Sequence, residues 1–209
     1  YKEHQGFRTS SVVSSTFNIP VRDVHYILLN LKKSGIVGAR SRGSGSNPHL
    51  MMRQFISSAV TSLSSESSIL EVGPGNHPLF SPREYLGWVG VDYNWNGEHI
   101  IFEGKKWGAN IYPPERLFQG AWSSLNDSLP EEFAGTFDLV VGSHSFEHTF
   151  APLKSLRNAA QLLKPGGALI LFVPDGFSDE PDSRREATHT LFMVPEMIHE
   201  FFEAAGCYD

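Results

Sequence analysis

Two apolar runs constrain this chain more than anything else in it: TFDLVVG (136–142) and ALILFV (168–173). Both are nearly continuous in apolar residues, the pattern of strands buried on both faces of a sheet. Between them Leu153, Leu156, Ala160 and Leu163 repeat on one helical face, Pro152 suits the first helical turn, and KPGG (164–167) reads as the stop. SILEV (68–72) and GWVGVD (87–92) are further short strands, and RLFQG (116–120) is a weaker one. A last helix is predicted from near Pro195 through Met197, Phe201 and Phe202 to Gly206. Strands alternating with helices predict an α/β fold, a doubly wound and mostly parallel Rossmann-like sheet with helices on both faces. Residues 93–115, with their Gly, Asn and paired Pro, read as a loop-rich excursion.

The first strand runs into a turn, ILEVGPGNHP, with Glu71 at the strand end and Gly73 and Gly75 in the bend. A sharp strand-to-helix turn needs residues without Cβ, and such residues also let a ligand approach the backbone. Asp92 ends the next strand, where a carboxylate can take a ribose diol. The dinucleotide fingerprint G-x-G-x-x-G would need glycine at 78, where Pro78 stands. Glu71 would repel a pyrophosphate and welcome a cationic ligand. An NAD-dependent oxidoreductase is therefore disfavoured.

LEVGPG resembles the first motif of the class I S-adenosylmethionine-dependent methyltransferases, and VGVDYN resembles the second. TFDLVVGSHSFEHTFAPLKSLRNAAQLLKPGGALILFVPD resembles the fourth strand, helix and fifth strand of the subgroup that includes ubiquinone-biosynthesis methyltransferases, and HTLFMVPEMIHEFFEAAG resembles the helix that follows there. The likeness covers about residues 66–208. It implies S-adenosyl-L-methionine as cofactor and a small-molecule methyl acceptor. It places Glu71, Gly73, Pro74, Gly75, Asp92, Tyr93, Ala121, Trp122, Ser143 and His144 around the cofactor, and Glu147 and His148 beside the transferred methyl group. His189, in ATHTLF, matches a histidine that overhangs the substrate pocket. No metal is implied. Two departures stand out. His77-Pro78 occupies the place of the third glycine, and Gly120-Ala121-Trp122 lacks the acid that usually takes the adenine amino group. Trp122 could cover the adenine ring or be a core residue. The family's order ends in a further hairpin, so a sheet of five strands, and a chain that is a fragment at both ends, are expected.

Residues 143–148, SHSFEH, also fit H-x-x-E-H, a zinc-peptidase pattern. That chemistry needs both histidines on one continuous helix. Here a strand runs to Gly142 and the next clear helix begins near Pro152, so the peptidase reading fails. His99 and His199 read as solvent-facing.

Residues 1–53 carry eight Lys/Arg against two acidic residues, in a chain whose net charge is −6. Val21, Val24, Leu28 and Leu31 give one helical face, capped by Gly35, before a glycine-rich basic stretch, IVGARSRGSGSN. Helix, turn, helix and wing resemble the winged-helix plan of bacterial repressors. Residues 1–47 are thus a winged-helix-like or helical cap module, 48–65 a linker helix, and 66–209 the methyltransferase domain. Nucleic-acid binding, homodimerisation and a cap over the pocket all stay open for the module. A rival for the whole chain is a DNA-binding regulator whose methyltransferase-like fold senses a ligand. No window of about 18 apolar residues exists, so no membrane span is expected. The single cysteine, Cys207, suits a reducing cytoplasm.

Overall fold

The computed structural model describes residues 63–102, 104–107, 111–173, 188–191 and 195–205, with Met52, Arg53, Ile56 and Val60 before them. The proposed module at 1–47, most of the linker helix, Cys207 and the side chain of His199 lie outside the described residues.

Strands β1 (Ser68–Val72) and β2 (Gly87–Asp92) are followed by a short pair, β3 (Ile100–Phe102) and β4 (Lys105–Trp107). Then come β5 (Leu117–Gln119), helix α1 (Leu125–Ser128), β6 (Phe137–Ser143), α2 (Pro152–Leu162), β7 (Leu163–Phe172) and α3 (Pro195–Ala204). Five of the strands form one sheet in the order β5-β2-β1-β6-β7, and every pairing in it is parallel. The chain goes outward from β1 to β2 and β5, then returns to the other side of β1 with β6 and β7. The crevice for a ligand in such a sheet lies outside the carboxyl ends of the strands where the order reverses, here β1 and β6. The five strands expected from the sequence are present among the described residues.

Alternation along each strand feeds two cores. Leu70, Val72, Val89, Val91, Val140, Leu169 and Leu171 face α2 and α3, where Leu156, Ala159, Leu162 and Phe202 are buried. Ile69, Trp88, Leu139, Val141, Ile170 and Phe172 face the other way, onto Leu79, Phe80, Met52 and Ile56. No helix among the described residues is long and apolar enough to cross a membrane.

Three local readings need correction. The excursion at 93–115 contains an antiparallel strand pair: Phe102 pairs with Lys105, and Gly104 takes φ 71°. Positive φ is common in tight hairpin turns and suits glycine, so Gly104 was the missed signal. KPGG does not simply end α2. It lies inside β7, which starts at Leu163, with Gly166 at φ 78° and a register shift opposite Phe137–Leu139. Proline cannot continue the helix, and the glycine supplies the bulge. His99 is half-buried, not solvent-facing, and its Nδ1 is shielded from water.

Candidate active site

The glycine turn is held by its neighbours rather than by itself. Gly73 and Gly75 adopt φ 75° and 55°, conformations that L side chains rarely take. The Gly73 N–H donates to the Val91 carbonyl at 2.8 Å. The Gly75 N–H donates to Asp92 Oδ2 at 3.0 Å, and the Asn94 N–H donates to Asp92 Oδ1 at 2.8 Å. From outside, the Tyr112 hydroxyl donates to the Gly75 carbonyl at 2.7 Å, while its ring stacks on Trp88. Tyr112 sits in the excursion just before Pro113, with no periodic pattern to announce it.

Glu71 does not face the cleft, as a ligand to a cationic cofactor would. It is 3 % exposed, and its carboxylate accepts from the N–H groups of Leu79 and Phe80 and from Trp88 Nε1, at 2.5, 3.2 and 3.0 Å. It braces the loop after the glycine turn from beneath. Burial pushes its carboxyl up from 4.5 to about 7, against the pull of those three donors and of Arg53. The folded value lies above the unfolded one, so this group's contribution to stability is fullest below about 4.5 and is lost as pH rises through about 7. The stability of the wild type relative to Glu71→Gln should therefore fall by on the order of 3 kcal/mol across that window in urea melts. A difference independent of pH would count against the buried brace.

Trp122 is also placed against the adenine reading. It is 3 % exposed, lies edge-to-face on Phe146, and its Nε1 donates to Ser145 Oγ at 3.0 Å. Ser145, which the sequence did not single out, donates in turn to the Val72 carbonyl at 2.7 Å and joins the tips of β1 and β6. Tyr93 is exposed at 74 %, while Pro74 is buried and Ala121 half-buried. Ser143 is half-buried, with its hydroxyl on Met52 Sδ at 3.4 Å.

β6 ends at Ser143, His144 takes φ 52°, and Phe146–His148 form a single 3-10 turn. The continuous helix that a zinc peptidase requires is absent. Glu147 is fully buried, with His144 Nδ1 at 3.7 Å and His189 Nε2 at 3.9 Å from its Oε1. The His148 and His189 rings meet edge-to-face at 4.8 Å. Residues 188–191 are strapped to this turn. The N–H groups of Thr190 and Leu191 donate to the Glu147 carbonyl, and the Thr190 hydroxyl donates to the Thr149 carbonyl at 2.7 Å. His148 Nδ1 lies 3.0 Å from the Thr188 carbonyl. A carbonyl can only accept, so Nδ1 carries the proton and Nε2 keeps its lone pair when the ring is neutral. His189 is thus brought onto the Glu147–His148 pair from forty residues away.

The chain is 32 % identical over 106 residues to the ubiquinone biosynthesis O-methyltransferase of Caulobacter vibrioides, covering 51 % of this chain and 39 % of the relative. It is 26 % identical over 174 residues to the malonyl-[acyl-carrier protein] O-methyltransferase of Brevibacillus brevis, covering 76 % and 62 %. The chain therefore spans less than two thirds of the length of these curated relatives. A similar fold is seen in Haemonchus contortus phosphoethanolamine N-methyltransferase 2 in complex with S-adenosyl-L-methionine, with TM-score 0.51 and 19 % identity over 78 % of this chain and 37 % of that one. A family model described as a methyltransferase domain matches residues 47–208. On that match over residues 47–208, the chain belongs to the methyltransferase domain family.

Proposed function

We propose that this chain transfers a methyl group from S-adenosyl-L-methionine to an O, N or C nucleophile of a small molecule, with oxygen favoured by the two curated O-methyltransferase relatives. The observation that supports this best is the adjacency at the carboxyl edge. The Gly73–Gly75 turn and Asp92 form one hydrogen-bonded unit, and the Glu147–His148 turn sits at the tip of the neighbouring strand β6. The turn suits a close-lying ligand because Gly73 and Gly75 hold positive φ and carry no side chain. Asp92 still has acceptor capacity beyond its two N–H donors, since a carboxylate offers about four lone-pair sites.

The cofactor supplies an electrophilic methyl group on a sulfonium sulfur. The chain's part is alignment, which accounts for most of the catalysis in such a transfer. For a hydroxyl acceptor, the O–H proton goes to His148 Nε2, whose lone pair the Thr188 carbonyl fixes through Nδ1. Glu147 stabilises the imidazolium that results.

S-Adenosylmethionine and S-adenosylhomocysteine should bind in calorimetry, and NAD should not. Asp92→Ala should weaken cofactor binding by about 1.5–3 kcal/mol, through loss of the ribose contact and of the Gly75 anchor. Wild-type affinity in that variant would sink the assignment.

A further inference from the structure

We propose that Tyr112 is a positioning residue for the cofactor, acting through the Gly75 carbonyl to hold the glycine turn in the shape that S-adenosyl-L-methionine meets. The proposal rests on the methyl-transfer reading above and adds to it a side chain from the excursion between β2 and β5. Gly75 is gripped at both of its polar groups. Its N–H donates to Asp92 Oδ2 at 3.0 Å, and its carbonyl accepts from the Tyr112 hydroxyl at 2.7 Å. The same hydroxyl lies 3.3 Å from the Pro74 carbonyl. The two bonds fix the peptide planes on either side of one residue. Gly75 has φ 55°, and along the direction a Cβ would take, no atom of the described residues beyond its chain neighbours lies within 4 Å. The turn is therefore held from one side and open on the other, which lets a ligand come close to the backbone.

Tyr112 is itself fixed on every side. The residue is 4 % exposed, and its ring stacks on Trp88 with centroids 5.5 Å apart and planes 17° from parallel. Trp88 Nε1 donates to Glu71, whose carboxylate takes the N–H groups of Leu79 and Phe80. Tyr112 and Glu71 thus hold the two ends of the segment 75–80, with Trp88 joining them. Pro113 follows Tyr112, and the residue before a proline is confined to extended backbone. Beyond Pro114, Arg116 donates to the Leu86 and Pro82 carbonyls at 2.7 and 3.2 Å. The hydroxyl therefore has little freedom left to lose when the cofactor binds. Burial, and after it the carboxylates of Glu71 and Asp92, push that hydroxyl above the usual phenol range, so it stays a donor. Without the hydroxyl the Gly75 carbonyl loses this bond, and the fraction of the chain with the turn in its binding shape falls. Apparent affinity falls with that fraction.

Tyr112→Phe keeps the ring and its stack on Trp88 and removes only the hydroxyl. Calorimetry with S-adenosylhomocysteine should give a Kd about three- to tenfold above wild type, the worth of one hydrogen bond. In steady-state kinetics the loss should fall on KM for S-adenosylmethionine rather than on kcat or on KM for the acceptor. Tyr85→Phe, on the same loop with its ring edge-on to Phe80 at 5.1 Å, should bind as wild type. Wild-type affinity in Tyr112→Phe, even with a lowered urea midpoint, would overturn the proposal and leave Tyr112 a packing residue. An equal loss in Tyr85→Phe would overturn it too. Should Tyr112→Phe fail to fold, amide exchange of the wild type decides. By linkage, S-adenosylhomocysteine should slow exchange at 111–116 as well as at the turn, and unchanged exchange at 111–116 rejects the proposal. A wild type that does not bind S-adenosylhomocysteine would overturn the methyl-transfer reading together with this one, whereas equal binding by wild type and Tyr112→Phe overturns this one alone.

Discussion

His148→Ala should lower kcat by about 10²–10⁴-fold while the affinity for S-adenosylmethionine hardly changes. The expectation follows from where the side chain sits. His148 is delivered by the 3-10 turn after β6, and its Nδ1 is tied to Thr188, so Nε2 is the atom presented to a substrate. A neutral imidazole accepts a proton on one ring nitrogen while the other keeps its hydrogen bond, which suits it to act as a base. Steady-state kinetics with a methyl-accepting metabolite, together with calorimetry of the cofactor, measure the two quantities separately. A loss confined to acceptor KM would assign the pair to shaping the pocket. His189→Ala refines the result. If His189 only borders the acceptor, its loss should act mainly on KM, whereas a positioning role should lower kcat.

Trp122→Ala should destabilise the fold by about 3–5 kcal/mol, the cost of emptying a large aromatic site in a core. The side chain is 3 % exposed and belongs to the cluster with Val140, Phe146 and Leu156. Three elements meet on it. Its Nε1 reaches Ser145 on the turn after β6, its carbonyl accepts from Asn158 Nδ2 of α2 at 3.5 Å, and Gly142 makes room for its ring. A Cβ at Gly142 would lie 2.3 Å from Trp122 Cζ2. The cavity would therefore open directly behind the Glu147–His148 turn. Urea melts give the stability, and Trp122→Phe separates packing from the indole hydrogen bond, whose loss should cost only about 1 kcal/mol. Near wild-type stability in Trp122→Ala, with lost cofactor affinity instead, would restore the adenine-stacking role.

The site was partly legible in the chain itself. Gly73, Gly75 and Asp92 could be named because glycine freedom and a strand-end carboxylate are written within a few residues of each other. Glu71 was also conspicuous, but its direction was not. Whether a strand-end carboxylate faces the cleft or the loop behind it depends on Trp88 and on the backbone of Leu79 and Phe80, which close over it only after folding. Ser145 was passed over because a small hydroxyl between two histidines carries no periodic signal. Its partners lie on other elements, at Val72 and Trp122.

The sequence by itself determined the element types and their alternation. Those follow from local terms, apolar period, strand propensity and the backbone limits of glycine and proline, which act over a handful of residues. Only the tertiary structure decided what meets at the carboxyl edge. His189 reaches Glu147 because the segment 188–191 is strapped across the turn after β6, and Trp122 turns inward because Gly142 leaves it space. Such contacts join residues 20 to 73 positions apart, as in the bonds Trp122–Ser145 and Val72–Ser145. They form only when burying apolar area in a common core outweighs the entropy of bringing those segments together, and no local pattern records that balance.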